Sequence, residues 1–437
     1  MNRIQRLRRS TRVVFTAARI FLGYRRLALR SRWLSPQEAE RRLSRHHRGS
    51  AQLILETATE LRGLLIKTGQ MMGARADIFP DEYVEVLSQL HDTVPPEPYD
   101  VVRRVVEREL GVSLGEVFAK FEETPIASAS LAQVHRAELH DGRDVAVKVQ
   151  YPGIEEIVQV DLQNIRLLAR AAGRFLRDLD LTPFVDELNA NAPMELDFIH
   201  EGHNAEAVAA NFAENDRIVV PNIYWEHTTR RVLTMEFVDG IKITDMPALD
   251  AAGIDRQSVY RLVAESYMRQ MFDHGFFHAD PHPGNLFVRP GPVLVIVDFG
   301  LSKQLTPSFL LAFIRLNAAI IAADGAALAQ AFRDLGFETR HADDAVFEAL
   351  GESMVARLSQ NGEFNRDKQL VLQFQQRMMR IFRENPLVRV PGEFLLIGRV
   401  MGLLAGLGAK FDADVNLLDI LGAHVRSPAE ASGNAGT

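Results

Sequence analysis

HADPHPGN at residues 278–285 and VLVIVDFG at residues 293–300 decide how this chain reads. Two carboxylates, Asp280 and Asp298, and one carboxamide, Asn285, flank a short apolar run, and His278 and His282 stand two positions either side of Asp280. Hard oxygen donors of this kind suit magnesium and the oxygens of a transferring phosphoryl group. The alternation of His278, Asp280 and His282 also permits a zinc or iron site, in which imidazole and carboxylate are ordinary ligands. That alternative leaves Asn285, the Asp-Phe-Gly and an upstream lysine without a role, and each histidine reads better as a hydrogen-bonded structural residue.

Spacing sharpens the first reading. Kinase catalytic loops place four residues between a carboxylate and a carboxamide, and a second carboxylate heads an Asp-Phe-Gly after a short strand. Asp280 and Asn285 have that gap, and Asp298 heads that tripeptide. Upstream, DVAVKVQ sets Lys148 on a strand with Val147 and Val149 facing the other way, so its ammonium lies on the same face as Ala146. In the kinase pattern such a lysine grips the α- and β-phosphates and is oriented by a helical glutamate. Glu195, Asp197 and Glu201 in MELDFIHEGHNAEAV are the candidates. On one helix Asp197 and Glu201 share a face and Glu195 points about 120° away. The plain alternative is three acids on a solvated face.

The phosphate-covering turn departs from ordinary kinases. A glycine-rich loop is expected before the first strand, where bare backbone lets N–H groups approach phosphate. The chain has Ala127, Ser128, Ala129 and Ser130 instead, and each side chain narrows the loop and raises the cost of positive φ.

Around this core, 437 residues with 47% hydrophobic and 24% charged content suffice for more than one domain. Cysteine is absent, which excludes disulfides, thiolate nucleophiles and sulfur-ligated zinc, and fits a reducing intracellular setting. Residues 1–48 hold fourteen arginines against Glu38 and Glu40, a net +12 that leaves −19 for the rest of a chain of formal charge −7. Arg alternates with Val, Phe, Ile and Leu at helical spacing, which suits a helix lying on anionic lipid or one packed on its own domain. An arginine-rich start also resembles an organellar transit peptide, whereas Arg19 interrupts the apolar run a secretory signal needs. FLLIGRVMGLLAGLGAKF from Phe394 is broken by Arg399 and Lys410 and reads as a buried helix rather than a span.

Periodicity divides the chain into a basic amphipathic segment (1–34), a helical extension (35–97), a strand-rich lobe (98–235), a helical lobe (236–425) and a disordered tail (426–437). Helices are expected over about 36–93, 98–110, 154–178, 182–214, 255–274 and 307–425. Hairpins are expected at 126–150, around Asp141-Gly142, and at 286–299, with a further strand pair from IVVPNIYWE and RRVLTMEFVDG.

ASASLAQVH, VAVKVQYPG, ELDF, HADPHPGN and VDFG, in this order and preceded by LLIKTGQMMGARADIFP, together resemble the UbiB/AarF family of atypical protein-kinase-like proteins over residues 55–412. The resemblance implies an α+β, two-lobed kinase-like fold with an N-terminal helical extension. It also implies ATP and Mg2+ as ligands and a link to ubiquinone or other isoprenoid-lipid metabolism, with ATP hydrolysis more than protein phosphorylation. Carried over by position, Lys148 contacts the phosphates, Asp280 is catalytic, Asn285 and Asp298 hold magnesium, and Glu236 and Val238 lie in the adenine-binding hinge. The resemblance adds Lys67 and Gln70 of the extension, one turn apart, with Glu195 or Asp197 as ion-pair partner for Lys67; alone, both would read as surface residues. No membrane-spanning pair follows the kinase-like region, so recruitment to a membrane surface from the cytoplasm rests on the arginine-rich start.

Two functions fit these residues: a peripheral-membrane ATPase or small-molecule kinase, and a nucleotide-sensing scaffold that organises biosynthetic enzymes. An ordinary Ser/Thr kinase fits poorly, because Ala279 fills the place of the catalytic-loop arginine and no Ala-Pro-Glu follows the Asp-Phe-Gly. Nucleic acid is a weak reading of the same arginines, given the acidic body.

Overall fold

The structure, a computed structural model, describes residues 3–31, 33–73, 79–91, 95–175, 182–322, 324–339 and 387–413, with the single positions 347 and 420. It shows the expected α+β, kinase-like architecture, divided into two compact units: residues 1–202 with 222–237, and residues 203–221 with 238–437. The expected disordered tail lies outside the described residues.

In the first unit, helices α1 (Arg3–Ser31), α2 (Pro36–Leu61), α3 (Leu64–Gly73) and α4 (Asp81–Leu87) form the extension. The helical pattern expected over 36–93 is not continuous, because Arg62 and Gly63 both take positive φ, 56° and 68°, and turn the chain between α2 and α3. The extension packs on α7 (Ile154–Phe175) and α8 (Thr182–Glu195) through a core that includes Leu64, Ile66, Leu87, Leu90, Ile154, Val158 and Leu188.

The sheet of this unit holds β1 (Phe118–Phe121), β2 (Ala127–Ser128), β3 (Ala132–Leu139), β4 (Asp144–Gln150) and β6 (Val232–Glu236), all antiparallel. The β3–β4 hairpin turns where expected, with Gly142 at φ 85°. The pleat sorts β4 cleanly. Val145, Val147 and Val149 join Val102, Val105 and Val106 of α5 (Tyr99–Leu110), while Ala146 on the other face packs with Phe198 of α9 (Phe198–Asn211).

In the second unit, β5 (Ile218–Val219), β10 (Val293–Ile296), β9 (Leu286–Arg289) and β7 (Ile241–Lys242) form a sheet. The expected strand pair within 217–240 is therefore corrected. β5 runs parallel to β10 in this sheet, β6 pairs with β4, and a single bridge between Ile223 and Met235 remains of the expected pairing. Pro221 removes an N–H just after β5, and a 3-10 turn at Trp225–His227 ends the extended run. The 286–299 hairpin forms as β9 and β10, and β8 (Phe276–His278) pairs with β11 (Ser302–Gln304).

Helix α11 (Arg256–Phe272) is buried along most of its length, from Val259 to Phe272, and acts as the spine of this unit. Around it stand α12 (Pro307–Ala322), α13 (Gly325–Leu335) and α14 (Gly392–Phe411). The all-helical expectation after residue 307 is interrupted by a short strand pair, Glu338–Thr339 with Leu387–Arg389. Among the described residues α14 is long and apolar enough, by length and composition, to cross a membrane; a third of it is buried.

Candidate active site

In the first unit the β4 pleat turns Lys148 towards Phe198, with Nζ 5.2 Å from the ring centroid. Nζ donates to both carboxylate oxygens of Glu201, at 2.6 and 2.9 Å. Lys148 is 9% exposed and Glu201 2%, so this is a buried pair that water does little to screen.

The three acids expected to compete for Lys148 have three separate partners. Pro193 lies in the last turn of α8, which ends at Glu195, and a new helix starts at Phe198. Asp197 thus lies outside both helices, and the expected face shared by Asp197 and Glu201 does not form. The Asp197 carboxylate instead accepts N–H bonds from Ile199 (3.1 Å) and His200 (3.4 Å), capping α9. Glu195 accepts from Lys67 Nζ at 2.9 Å. Gln70 does not join that pair: its Nε2 donates to the Leu90 carbonyl at 3.0 Å, tying α3 to the 3-10 turn Ser88–His91.

The Ala/Ser stretch is an ordered turn. Ala127 and Ser128 pair with Val134 and Gln133, and Ala129 N–H donates to Ala132 O at 2.8 Å. Ser128 Oγ lies 2.7 Å from the Tyr151 hydroxyl and Ser130 is buried. At the expected hinge, Glu236 N–H donates to Asn222 O and Phe237 N–H to Asp144 O, while the Glu236 carboxylate accepts from Asn222 Nδ2 at 2.6 Å. Val238 is the first residue of the longer stretch of the second unit.

The second unit holds the HADPHPGN and VDFG residues. His278 is fully buried; its Nε2 donates to the Asp298 carbonyl at 2.7 Å and its Nδ1 lies 2.8 Å from the Tyr267 hydroxyl. A carbonyl only accepts, so Nε2 carries the proton. Burial holds the imidazole pKa below its ordinary value, which keeps the ring neutral and makes Nδ1 an acceptor for Tyr267. Both nitrogens are thereby used, and the structural reading of His278 holds. His282 accepts the Gly284 N–H at Nδ1, 3.1 Å away.

Asn285 Nδ2 donates to the Asp280 carbonyl at 3.2 Å, which orients the amide, so the acceptor Oδ1 is the atom that could hold a metal. Asp298 has φ 64°, a left-handed conformation that a non-glycine residue adopts at a cost. His278 on its carbonyl and Asn204 Nδ2 on the Phe299 carbonyl, at 3.0 Å, hold that conformation. Asn285 and Asp298 thus supply carboxamide and carboxylate oxygens, a donor set that suits magnesium.

Comparison with known proteins accords with this geometry. The ABC1 atypical kinase-like domain matches residues 89–332. The chain belongs to the ABC1, or UbiB/AarF, family of atypical kinase-like proteins. It is 35% identical to AarF domain-containing protein kinase 1 of Mus musculus, over 86% of this chain and 76% of that one. It is 34% identical to the chloroplastic protein ACTIVITY OF BC1 COMPLEX KINASE 8 of Arabidopsis thaliana, over 85% of this chain and 53% of that one. Among the curated relatives the chain thus spans from about half to three quarters of their length. A solved structure, that of Mycobacterium tuberculosis Rv3197 in complex with erythromycin, is 28% identical with a TM-score of 0.57, covering 88% of this chain and 97% of that one.

Set beside the ABC1 motifs, the structure adds residues that sequence reasoning missed. Arg399 of α14 donates from Nη2 to Asp280 Oδ1 at 2.7 Å, 119 residues away in the chain. In the sequence Arg399 reads only as an interruption of an apolar run. Gln133 of the ASLAQVH motif is fully buried and exchanges bonds with the backbone of Glu97, accepting its N–H at 2.7 Å and donating to its carbonyl at 3.3 Å. A buried polar residue inside a β-rich run was the available signal.

Proposed function

We propose that this ABC1-family protein binds ATP with magnesium and transfers or releases its terminal phosphoryl group, at a membrane surface and in isoprenoid-quinone metabolism. The Lys148–Glu201 pair carries the reading: a buried ammonium held at 2.6 and 2.9 Å by a helical carboxylate is the device that presents a cation to nucleotide phosphates. Asn285 and Asp298 would hold magnesium, which neutralises phosphate charge when bound. Asp280 orients the attacking water or hydroxyl. The Ala127–Ser130 turn covers the phosphates, with Ser128 restrained by Tyr151. Glu236 and Val238 bracket the adenine contact. Lys67, Gln70 and the helices around them support a role for the extension in keeping large substrates out, through Lys67–Glu195 and Gln70–Leu90.

The surface of α1 supports the membrane part. Its inner face packs on α2 and α7 through Arg9, Val13 and Thr16. Its outer face exposes Ile4, Leu7, Val14, Phe15, Leu22 and Leu29, at steps that a 3.6-residue repeat places on one side. Arg8, Arg19, Arg25 and Arg26 are exposed beside this stripe. An apolar stripe flanked by arginines fits an anionic lipid surface, where each cation near the headgroups contributes about 1 kcal/mol.

The test is magnesium-dependent ATPase activity of the purified protein with and without anionic vesicles. Activity that falls in Asp280→Asn while nucleotide binding survives is expected; an unaltered rate in that variant would overturn the catalytic assignment and favour the nucleotide-sensing scaffold. Phe15→Glu with Leu22→Glu is expected to lower sedimentation with phosphatidylglycerol vesicles severalfold, and unchanged sedimentation would remove α1 from the membrane reading.

A further inference from the structure

Within HADPHPGN the loop offers no lysine or arginine between Asp280 and Asn285. The second unit nevertheless brings a guanidinium to the Asp280 carboxylate, from α14. We infer that Arg399 is the positioning residue of the catalytic loop, setting the orientation of the Asp280 carboxylate for phosphoryl transfer from outside the motif. The inference rests on the proposed phosphoryl-transfer function.

Three observations carry it. The contact is short, 2.7 Å from Nη2 to Oδ1, and both side chains are only 17% exposed, so the pair is shielded from competing water. A charge-assisted bond to a single oxygen fixes the rotation of the carboxylate about its Cβ–Cγ bond, the torsion that decides where the other oxygen points. The support is rigid: α14 packs on α11, with Leu396, Ile397, Val400 and Leu404 buried. Its approach to α11 is close, because a Cβ at Gly408 would stand 2.8 Å from the Tyr260 hydroxyl. Arg399 Nε is also buried with no hydrogen-bond partner among the described residues, so the bond to Asp280 is the polar contact the structure gives this guanidinium.

The loop contributes a second restraint, since Asn285 Nδ2 holds the Asp280 carbonyl at 3.2 Å. Backbone and side chain of Asp280 are therefore fixed independently, by a motif residue and by a residue from a distant helix. A misplacement of about 1 Å at such a group lowers turnover by roughly 10²-fold.

The experiment measures kcat and KM for ATP in wild type, Arg399→Ala, Arg399→Lys and Asp280→Asn, with nucleotide affinity and melting temperature for each. Arg399→Ala is expected to lower kcat by about 10²-fold with KM and nucleotide affinity within about threefold of wild type. Arg399→Lys, which keeps the charge but not the planar fork, is expected to fall between. Added methylguanidinium is expected to restore part of the Arg399→Ala rate and none of the Asp280→Asn rate, a response that a purely structural role does not produce. Wild-type turnover lost in Asp280→Asn but retained in folded Arg399→Ala, or Arg399→Lys if the alanine variant fails to fold, would overturn this inference alone. Absence of any wild-type turnover would overturn the proposed function, and this inference with it.

Discussion

Removing the buried Arg9 of α1 takes away four hydrogen bonds at once. Its guanidinium lies 2.6 Å from each carboxylate oxygen of Asp161 on α7 and donates to the carbonyls of Leu61 (2.5 Å) and Arg62 (2.7 Å), where α2 ends. One cation thus binds three helices and satisfies C-terminal carbonyls that have no helical partner. Asp161 is 0% exposed. Burial pushes its carboxyl pKa up, against the pull of Arg9 and the N–H groups of Leu65 and Leu64. In Arg9→Ala a buried carboxylate loses its counter-ion, which costs about 3–5 kcal/mol. At roughly 2–4 °C per kcal/mol for a unit of this size, the first unit is expected to melt about 6–20 °C lower. Arg9→Lys is expected to recover little, because a single ammonium cannot bridge four acceptors in a plane. The double variant Arg9→Leu with Asp161→Leu, which removes both charges, is expected to recover only part of the loss, because the Leu61 and Arg62 carbonyls and the Leu64 and Leu65 N–H groups lose their partners as well. Denaturant unfolding, with proteolysis in α1 as a local reporter, measures each step. An Arg9→Ala variant within about 1 kcal/mol of wild type, or a double variant no better than the single one, would show that the pair does not hold the extension together.

Glu201→Gln removes the charge facing Lys148, and a loss of about 3–5 kcal/mol in the first unit is expected, largely recovered when Lys148→Met is added; additive losses in the unfolding cycle would refute coupling. Glycines of α3 are expected to differ. A Cβ at Gly73 would meet backbone, 2.8 Å from Ser88 N, whereas one at Gly69 would meet the flexible Leu90 Cδ1 at 2.3 Å. Gly73→Ala should therefore destabilise by more than Gly69→Ala, where repacking and a helix-propensity gain of about 1 kcal/mol offset the strain, and equal melting temperatures would contradict this. His135 and His278 are both held neutral, their pKa values lowered chiefly by burial. The unfolded chain binds protons first, so stability is intact above pH 6.5 and falls below it until the lowered native values are reached, by about 1.4 kcal/mol per pH unit for each ring. A urea midpoint that stays flat from pH 7.5 to 5.5, or one whose slope is unchanged in His135→Gln, would refute the assignment.

Much of the kinase-like reading was local and therefore legible. The Asp-Gly hairpin, the alternation in DVAVKVQ that turns Lys148 away from its valines, and the HADPHPGN and VDFG spacings each depend on neighbours within a dozen residues. Which acid faces Lys148 was not local. Pro193 and the helix break at Asp197 separated Asp197 and Glu201, which one continuous helix would have placed on one face, and the three acids went to Lys148, Lys67 and the α9 N-terminus.

The chain order by itself determined the α+β architecture, the hairpins and the residue types that chemistry requires, because pleat, helical period and turn conformation act over short distances. Only the tertiary structure decided the long-range partners: Arg399 with Asp280, Arg9 with Asp161, Glu201 with Lys148, and β5 with β10. Those pairs join positions 53 to 152 residues apart in the chain for the side chains. A charged side chain carries no local mark of its partner; burial of the surrounding apolar residues brings the two together.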